Sequence, residues 1–201
     1  MRNKVQTENK IKVAAKNAFI VKGKAGARMQ EIANEAGINK AMLHYYFKSK
    51  DQLFHAVFTD VVRDMIPKLF LIFKDDFPLE VKVYRAVEFY IDFLSEHPEI
   101  PLFILGELQS HPKDLLEHLD IEKSFDFKVI NEQLIEEHKK GNIVQISAPQ
   151  FMLNLISMMV FPFVAKPIFQ KVMKLEDEQY QQLLQARKVE VPKFIMSALR
   201  P

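Results

Sequence analysis

The chain has 201 residues, 48% of them hydrophobic, with 5 glycines, 10 prolines and no cysteine. That length supports one or two domains with a sizeable core, the few glycines favour a helical chain over a disordered or all-β one, and the missing thiols exclude a disulfide framework or a thiolate metal site. The net charge of +2 hides an asymmetry: residues 1–55 carry 11 Lys+Arg against 4 Asp+Glu, and the remainder carries 17 against 22. A basic segment on an acidic body is the electrostatic footprint of a nucleic-acid-binding head.

The first residues are polar and charged, without the apolar run of a signal peptide, so a cytoplasmic protein is expected. Residues 1–6 read as a frayed basic arm containing Arg2 and Lys4. Thr7 is the expected cap of a first helix whose stripe is Ile11, Ala15, Ala18 and Phe19 and which Gly23 ends. Met29, Ile32, Ala33 and Ala36 follow the i, i+3, i+4, i+7 rule of a short second helix. Gly37 stops it by accepting a positive φ. Asn39 is a good N-cap for a third helix, with Leu43 and Phe47 on its apolar side. Two short helices around a tight turn are the sequence form of a helix-turn-helix.

Away from Leu43 and Phe47 the third helix presents Asn39, Lys40, Ala41, Met42, His44, Tyr45 and Tyr46. Such polar, small and amphipathic side chains suit base edges in a major groove and the phosphates beside it. Lys40, Ala41, Met42 and Tyr45 are expected to face bases. Lys48, Ser49 and Lys50 open the next helix, where backbone N–H groups and two lysines make a phosphate clamp. Phosphate contacts are expected from Arg28, Tyr46, Lys48 and Lys50.

Gly23, Ile32-Ala33, Ala36-Gly37-Ile38, Leu43, Phe47, Ser49-Lys50 and Leu53 resemble the DNA-binding domain of tetracycline-repressor (TetR) type transcription regulators over roughly residues 8–55. The resemblance implies a three-helix DNA-binding head, a helical ligand-binding body and a homodimer. The chain departs from the family where a Thr pair usually precedes the second helix. Here Ala27-Arg28 weakens the N-cap and offers Arg28 to a phosphate instead. His44 stands where the family's recognition helix usually carries a Tyr.

Beyond Asp51 the pattern is helix after helix. Phe54, Val57, Phe58, Val61, Val62 and Met65 begin a long one that Leu69, Phe70 and Phe73 extend past Pro67, where a kink is expected. Helices follow from Leu79 to His97, from Pro101 to Ser110, from Pro112 to Lys140, from Ala148 after the Ser147 cap, and from Glu176 to Leu199. The fold class is therefore all-α, with a helix-turn-helix DNA-binding domain at residues 1–50 and a helical ligand-binding and dimerisation domain at residues 51–201.

Phe151 to Ala165 is almost wholly apolar, too short for a membrane span and interrupted by Asn154, Ser157 and Pro162. Such a helix must be covered on most sides. A dimer face is expected from Leu155, Met158, Met159 and Phe163 with Tyr180 and Leu184 of the last helix. In the family, the two final long helices of each subunit commonly form a four-helix interface. Small-molecule sites in bundles are apolar with a few polar groups, and Phe70, Tyr84, Tyr90, Phe103, Glu107, His111 and Phe127 are the pocket candidates. The six histidines show no metal-ligand spacing. There is no nucleophile motif and no phosphate-binding glycine loop, so no catalytic residue, metal or cofactor is expected. The reading is a ligand-responsive DNA-binding regulator, a repressor released by a small apolar or amphipathic ligand. Its expected partners are a palindromic double-stranded operator, that ligand and a second copy of the chain, with no membrane. The alternative is a helical interaction protein of the same fold without DNA binding.

Overall fold

A computed structural model describes residues 2–110 and 127–201, excluding the side chains of Arg2, Asn3, Asp64, Ile66, Glu107 and Ser110. Among the described residues all regular structure is helical: α1 (Arg2–Gly26), α2 (Met29–Glu35), α3 (Lys40–Tyr46), α4 (Lys50–Lys74), α5 (Leu79–Glu96), α6 (Ile100–Ser110), α7 (Phe127–Lys139), α8 (Ala148–Val164), α9 (Lys166–Met173) and α10 (Asp177–Leu199). His111 and the start of the expected Pro112–Lys140 helix lie outside the described residues. The chain divides into two compact units, the described residues of Met1–Asp64 with Phe103–Leu119, and those of Met65–Leu102 with Asp120–Pro201.

In the first unit, Ile11, Ala15 and Phe19 of α1 close over Ile32, Ala33, Leu43, Leu53 and Phe58, all essentially buried. Each large apolar side chain buried this way contributes about 1.5–3 kcal/mol before entropy is counted. Phe19 meets Phe54 edge-on at 4.9 Å, and Phe58 lies 5.6 Å from Phe103. Lys12 Nζ reaches Asp60 at 2.7 Å. These contacts run along α4, and the unit extends to Asp64. The expected basic arm is not an arm: α1 begins at Arg2, with Thr7 inside it, because nothing ahead of Gly23 breaks a helix. Gly23 itself sits at φ +65° and interrupts the helical geometry.

The second unit is built on α5, whose Val83, Val87, Tyr90, Ile91 and Leu94 form one buried stripe. It packs on α10 and α8, and α7 packs on α8. Ser147 Oγ accepts from Gln150 N–H to cap α8, and Glu176 with Gln179 forms a capping box on α10. Gly141, at φ +76°, ends α7 with the paired bonds Gly141 N–H to His138 O and Asn142 N–H to Glu137 O, which is a Schellman cap. α4 runs unbroken through Pro67. Lys82 is 4% exposed; it donates to Phe73 O at 2.9 Å and Gln133 Oε1 at 2.8 Å. Burial pulls its pKa down, against the attraction of Asp76 and Asp75.

Two expectations change here. Leu155, Met159, Phe163, Tyr180 and Leu184 are buried inside the chain, and Met158 is half-buried, so they form core and not an outward dimer face. α8 is apolar nearly all round, and periodicity cannot say which side of such a helix turns inward. The exposed apolar residues of α8 are Leu153, Ile156 and Phe161. The second change is α9, a short helix absent from the sequence reading. It buries no residue, and exposes Ile168 and Val172. No single helix among the described residues is long and apolar enough to cross a membrane; α8 and α9 pass that test only as a pair, bent by 68°.

Candidate nucleic-acid interface

The helix-turn-helix is held by its own backbone bonds. Gly37 takes φ +70°, its N–H reaching Asn34 O at 3.1 Å, while Ile38 N–H reaches Ala33 O at 3.0 Å. This is a second Schellman cap, and a Cβ at Gly37 is strained by the positive φ although open space surrounds it. Asn39 Oδ1 then accepts from Met42 N–H at 2.7 Å and starts α3. Leu43 is fully buried and Phe47 nearly so, which fixes the rotation of α3. The opposite face is left exposed: Asn39, Lys40, Ala41, Met42, His44 and Tyr45, with Tyr46 half-buried beside them. Tyr45 is 73% exposed and packs edge-on against Tyr46 at 5.5 Å.

Several lysines of this unit are paired. Lys12 is paired with Asp60 and Glu8, Lys22 with Glu31, and Lys24 with Asp51. The Lys22 ammonium holds the Glu31 carboxyl below the usual carboxylate range. Arg28, Lys40 and Lys48 are exposed and make no ion pair among the described residues. They flank or belong to α3; Lys10 and Lys16 of α1 also make no ion pair among the described residues. Arg28 is the N-cap of α2 and makes no side-chain capping bond, as Ala27-Arg28 suggested. The start of α4 is closed by Ser49 Oγ accepting from Gln52 N–H at 3.0 Å and Gln52 Oε1 accepting from Lys48 N–H at 2.8 Å.

Lys50 is placed differently from the simple phosphate lysine the sequence suggested. Its Nζ donates to Ala25 O and Ala27 O, both at 3.2 Å. An ammonium has three donors, so two tie the α1–α2 turn to the start of α4 and one is left. Spacing alone gave no sign of this, because the acceptors are backbone carbonyls more than twenty residues away.

Of the described pocket candidates, Phe103 belongs to the first unit and Phe70, Tyr84, Tyr90 and Phe127 to the second. Phe103 is buried in the first unit against Phe54, His55 and Phe58. In the second unit Tyr90 is buried, its phenol pushed up to about 12 by desolvation, whereas Tyr84 and Phe70 are half-buried and Phe127 is exposed. The Glu107 side chain and His111 are outside the described residues. A cavity of about 250 Å³ in this unit, lined by residues such as Leu79, Glu137, Ile143 and Arg200, includes none of them.

Residues 11–57 match the family profile described as bacterial regulatory proteins, tetR family. The chain is 22% identical over 182 residues to the probable HTH-type transcriptional regulator YttP of Bacillus subtilis (strain 168), covering 88% of this chain and 86% of that protein. Among solved structures, HlyIIR, a hemolysin II transcriptional regulator, is 27% identical with a TM-score of 0.58, over 98% of both chains. The transcriptional regulator FadR from Bacillus subtilis, solved in complex with stearoyl-CoA, shares the fold at 16% identity and a TM-score of 0.63, over 95% of this chain and 98% of that one.

Proposed function

From its membership of the TetR family of DNA-binding transcriptional regulators, we propose that this chain is a cytoplasmic, homodimeric repressor released from its operator by a small apolar or amphipathic ligand. The DNA-binding domain is residues 1–50 and the ligand-binding and dimerisation domain residues 51–201. The observation that carries the DNA-binding reading is the outward face of α3. Buried Leu43 and Phe47 set its rotation, and Lys40, Ala41, Met42 and Tyr45 are exposed on the other side. Arg28, Lys48 and Tyr46 flank that face and take phosphates, with the third donor of Lys50. The basic balance of residues 1–55, 11 Lys+Arg against 4 Asp+Glu, argues against a helical interaction protein without DNA binding.

A two-fold dimer presents two α3 helices, and each reads one half-site, so the operator is palindromic. The ligand class is supported by the aromatic character of the second unit and by the acyl-CoA bound to FadR; Tyr84 and Tyr90 are the candidates for orienting it. A ligand releases DNA only by its difference in affinity between the two states, typically worth about 1–3 kcal/mol, and operator DNA must weaken the ligand by the same factor.

The test is selection from a randomised duplex library with the purified protein, followed by mobility shift. A palindromic consensus bound in preference to the starting library is the expected result. Recovery of no consensus, with affinity that depends on salt alone, would contradict the proposal. Mass spectrometry of the protein under native conditions then reports any co-purified ligand.

A further inference from the structure

We propose that Lys4 is a positioning residue for sequence recognition, holding the Tyr45 ring in the orientation that α3 presents to the groove. The inference rests on the reading of α3 as the recognition helix. Its motive is that residues expected to fray are helical. α1 starts at Arg2, so Lys4 is carried on a helix and not on a loose arm. Its Nζ lies 5.8 Å from the centroid of the Tyr45 ring. The same ring meets Tyr46 edge-on at 5.5 Å, with an interplanar angle of 88°. An aromatic side chain with 73% of its surface exposed is thus held from two sides, by a cation and by the edge of a second ring.

A cation is attracted to the face of a phenol ring by its quadrupole. The first turn of α1 contains no acidic residue, although the positive end of the helix dipole favours one there. Lys4 is therefore placed against the dipole, and among the described residues the Tyr45 ring is the group that receives its charge. Tyr45 has few rotamers, so a modest attraction selecting one of them fixes where its hydroxyl points. A hydroxyl aimed at one base edge gives a preference at that base; a ring that rotates freely gives a weaker one.

The experiment uses the full chain and the duplex selected from a randomised library. Affinity and base preference are measured at several salt concentrations for wild type, Lys4→Met, Lys4→Arg, Tyr45→Ala and the double variant Lys4→Met/Tyr45→Ala. Lys4→Met is expected to weaken the selected duplex about two- to fivefold, the range for an exposed cation–π contact. It should alter preference at the same half-site positions as Tyr45→Ala and leave the salt slope nearly unchanged. Lys4→Arg should restore binding, and Lys4→Met should be silent once Tyr45 is gone. If Lys4→Met weakens all duplexes alike and lowers the salt slope by about one, Lys4 is a phosphate contact and the proposal is overturned. A silent Lys4→Met with Tyr45 intact overturns it too. An unaltered base preference in Tyr45→Ala overturns it at its premise, which separates that failure from failure of the Lys4 contact.

Discussion

Arg187 Nη2 donates to the carbonyl of Met158 over 2.6 Å, and that carbonyl is the one from which Pro162 withholds a helical donor. Proline lacks the N–H that would bond four residues back, and a carbonyl without a partner is costly in proportion to its burial. One turn on, Tyr180 Oη donates to Pro162 O at 2.7 Å, near the C-terminal end of α8. α10 thus completes the hydrogen bonding of α8 at both the proline and the helix end. Arg187→Ala is expected to cost about 0.5–1.5 kcal/mol, the net worth of a hydrogen bond whose half-buried acceptor water can partly reach. In a Pro162→Ala background the cost should shrink, because the alanine N–H can bond Met158 O. Denaturant unfolding of the four chains in this cycle gives the coupling. Equal costs in both backgrounds would remove the proline from the account.

Lys174 follows α9 with φ +55°, and Leu175 N–H reaches Gln170 O at 3.0 Å. Lys174 N–H goes to the same carbonyl, so this helix end shares the left-handed turn of Gly37 and Gly141 and one of their two bonds, here with a Cβ in the left-handed region. Such a conformation costs an L-residue about 1–2 kcal/mol relative to the right-handed one. Lys174→Gly should therefore stabilise the chain, by about 0.5–1 kcal/mol once the added freedom of the unfolded glycine is subtracted. The midpoint of urea unfolding should rise at unchanged slope. A lower midpoint would show that the Lys174 side chain contributes more than its backbone costs.

What the sequence made legible depends on whether one local rule decided the outcome. Gly37, Asn39 and Ser147 each act within their own turn, and they cap where the sequence placed them. The α5 stripe was readable because one side of that helix is polar. α8 offers no such contrast, so its inward side is set by α5 and α10 and could not be read from period. Lys50 and Lys82 were also out of reach. Both donate to backbone carbonyls, and a carbonyl acceptor leaves no mark in the identity of its residue.

Phosphate contact and fold maintenance are separable in the first unit. Arg28→Ala and Lys48→Ala remove cations that make no ion pair among the described residues. Each should weaken all duplexes alike and reduce the slope of log K against log salt by about one. Lys12→Ala is the control, since its ammonium already sits on Asp60 and Glu8; it should lower stability and leave the slope alone. A slope unchanged in Arg28→Ala and Lys48→Ala would move the phosphate track away from α3.

The dimer face is the remaining placement to test, and burial tells where to cut. Met159 is fully buried within the chain. A charge there has no counter-ion, so Met159→Asp should unfold the second unit. Ile156, three residues earlier, is exposed with Leu153 on the outer side of α8. Between them and Val160 lies Ser157, whose Oγ donates back to Leu153 O at 2.6 Å. The hydroxyl is therefore satisfied within its own helix and asks nothing of whatever covers it. An apolar stripe whose polar atom is bonded within its own helix suits the charge-depleted centre of a protein interface. Ile156→Asp should leave the helical circular dichroism intact and, if the proposed dimer uses this face, sediment as a soluble monomer where the parent chain sediments as a dimer. It should also weaken operator binding, since a monomer holds one half-site and loses the joint engagement of two. A folded Ile156→Asp chain that sediments as a dimer would place the interface on another surface, and the exposed apolar residues of α9 and α10 would be the next to substitute.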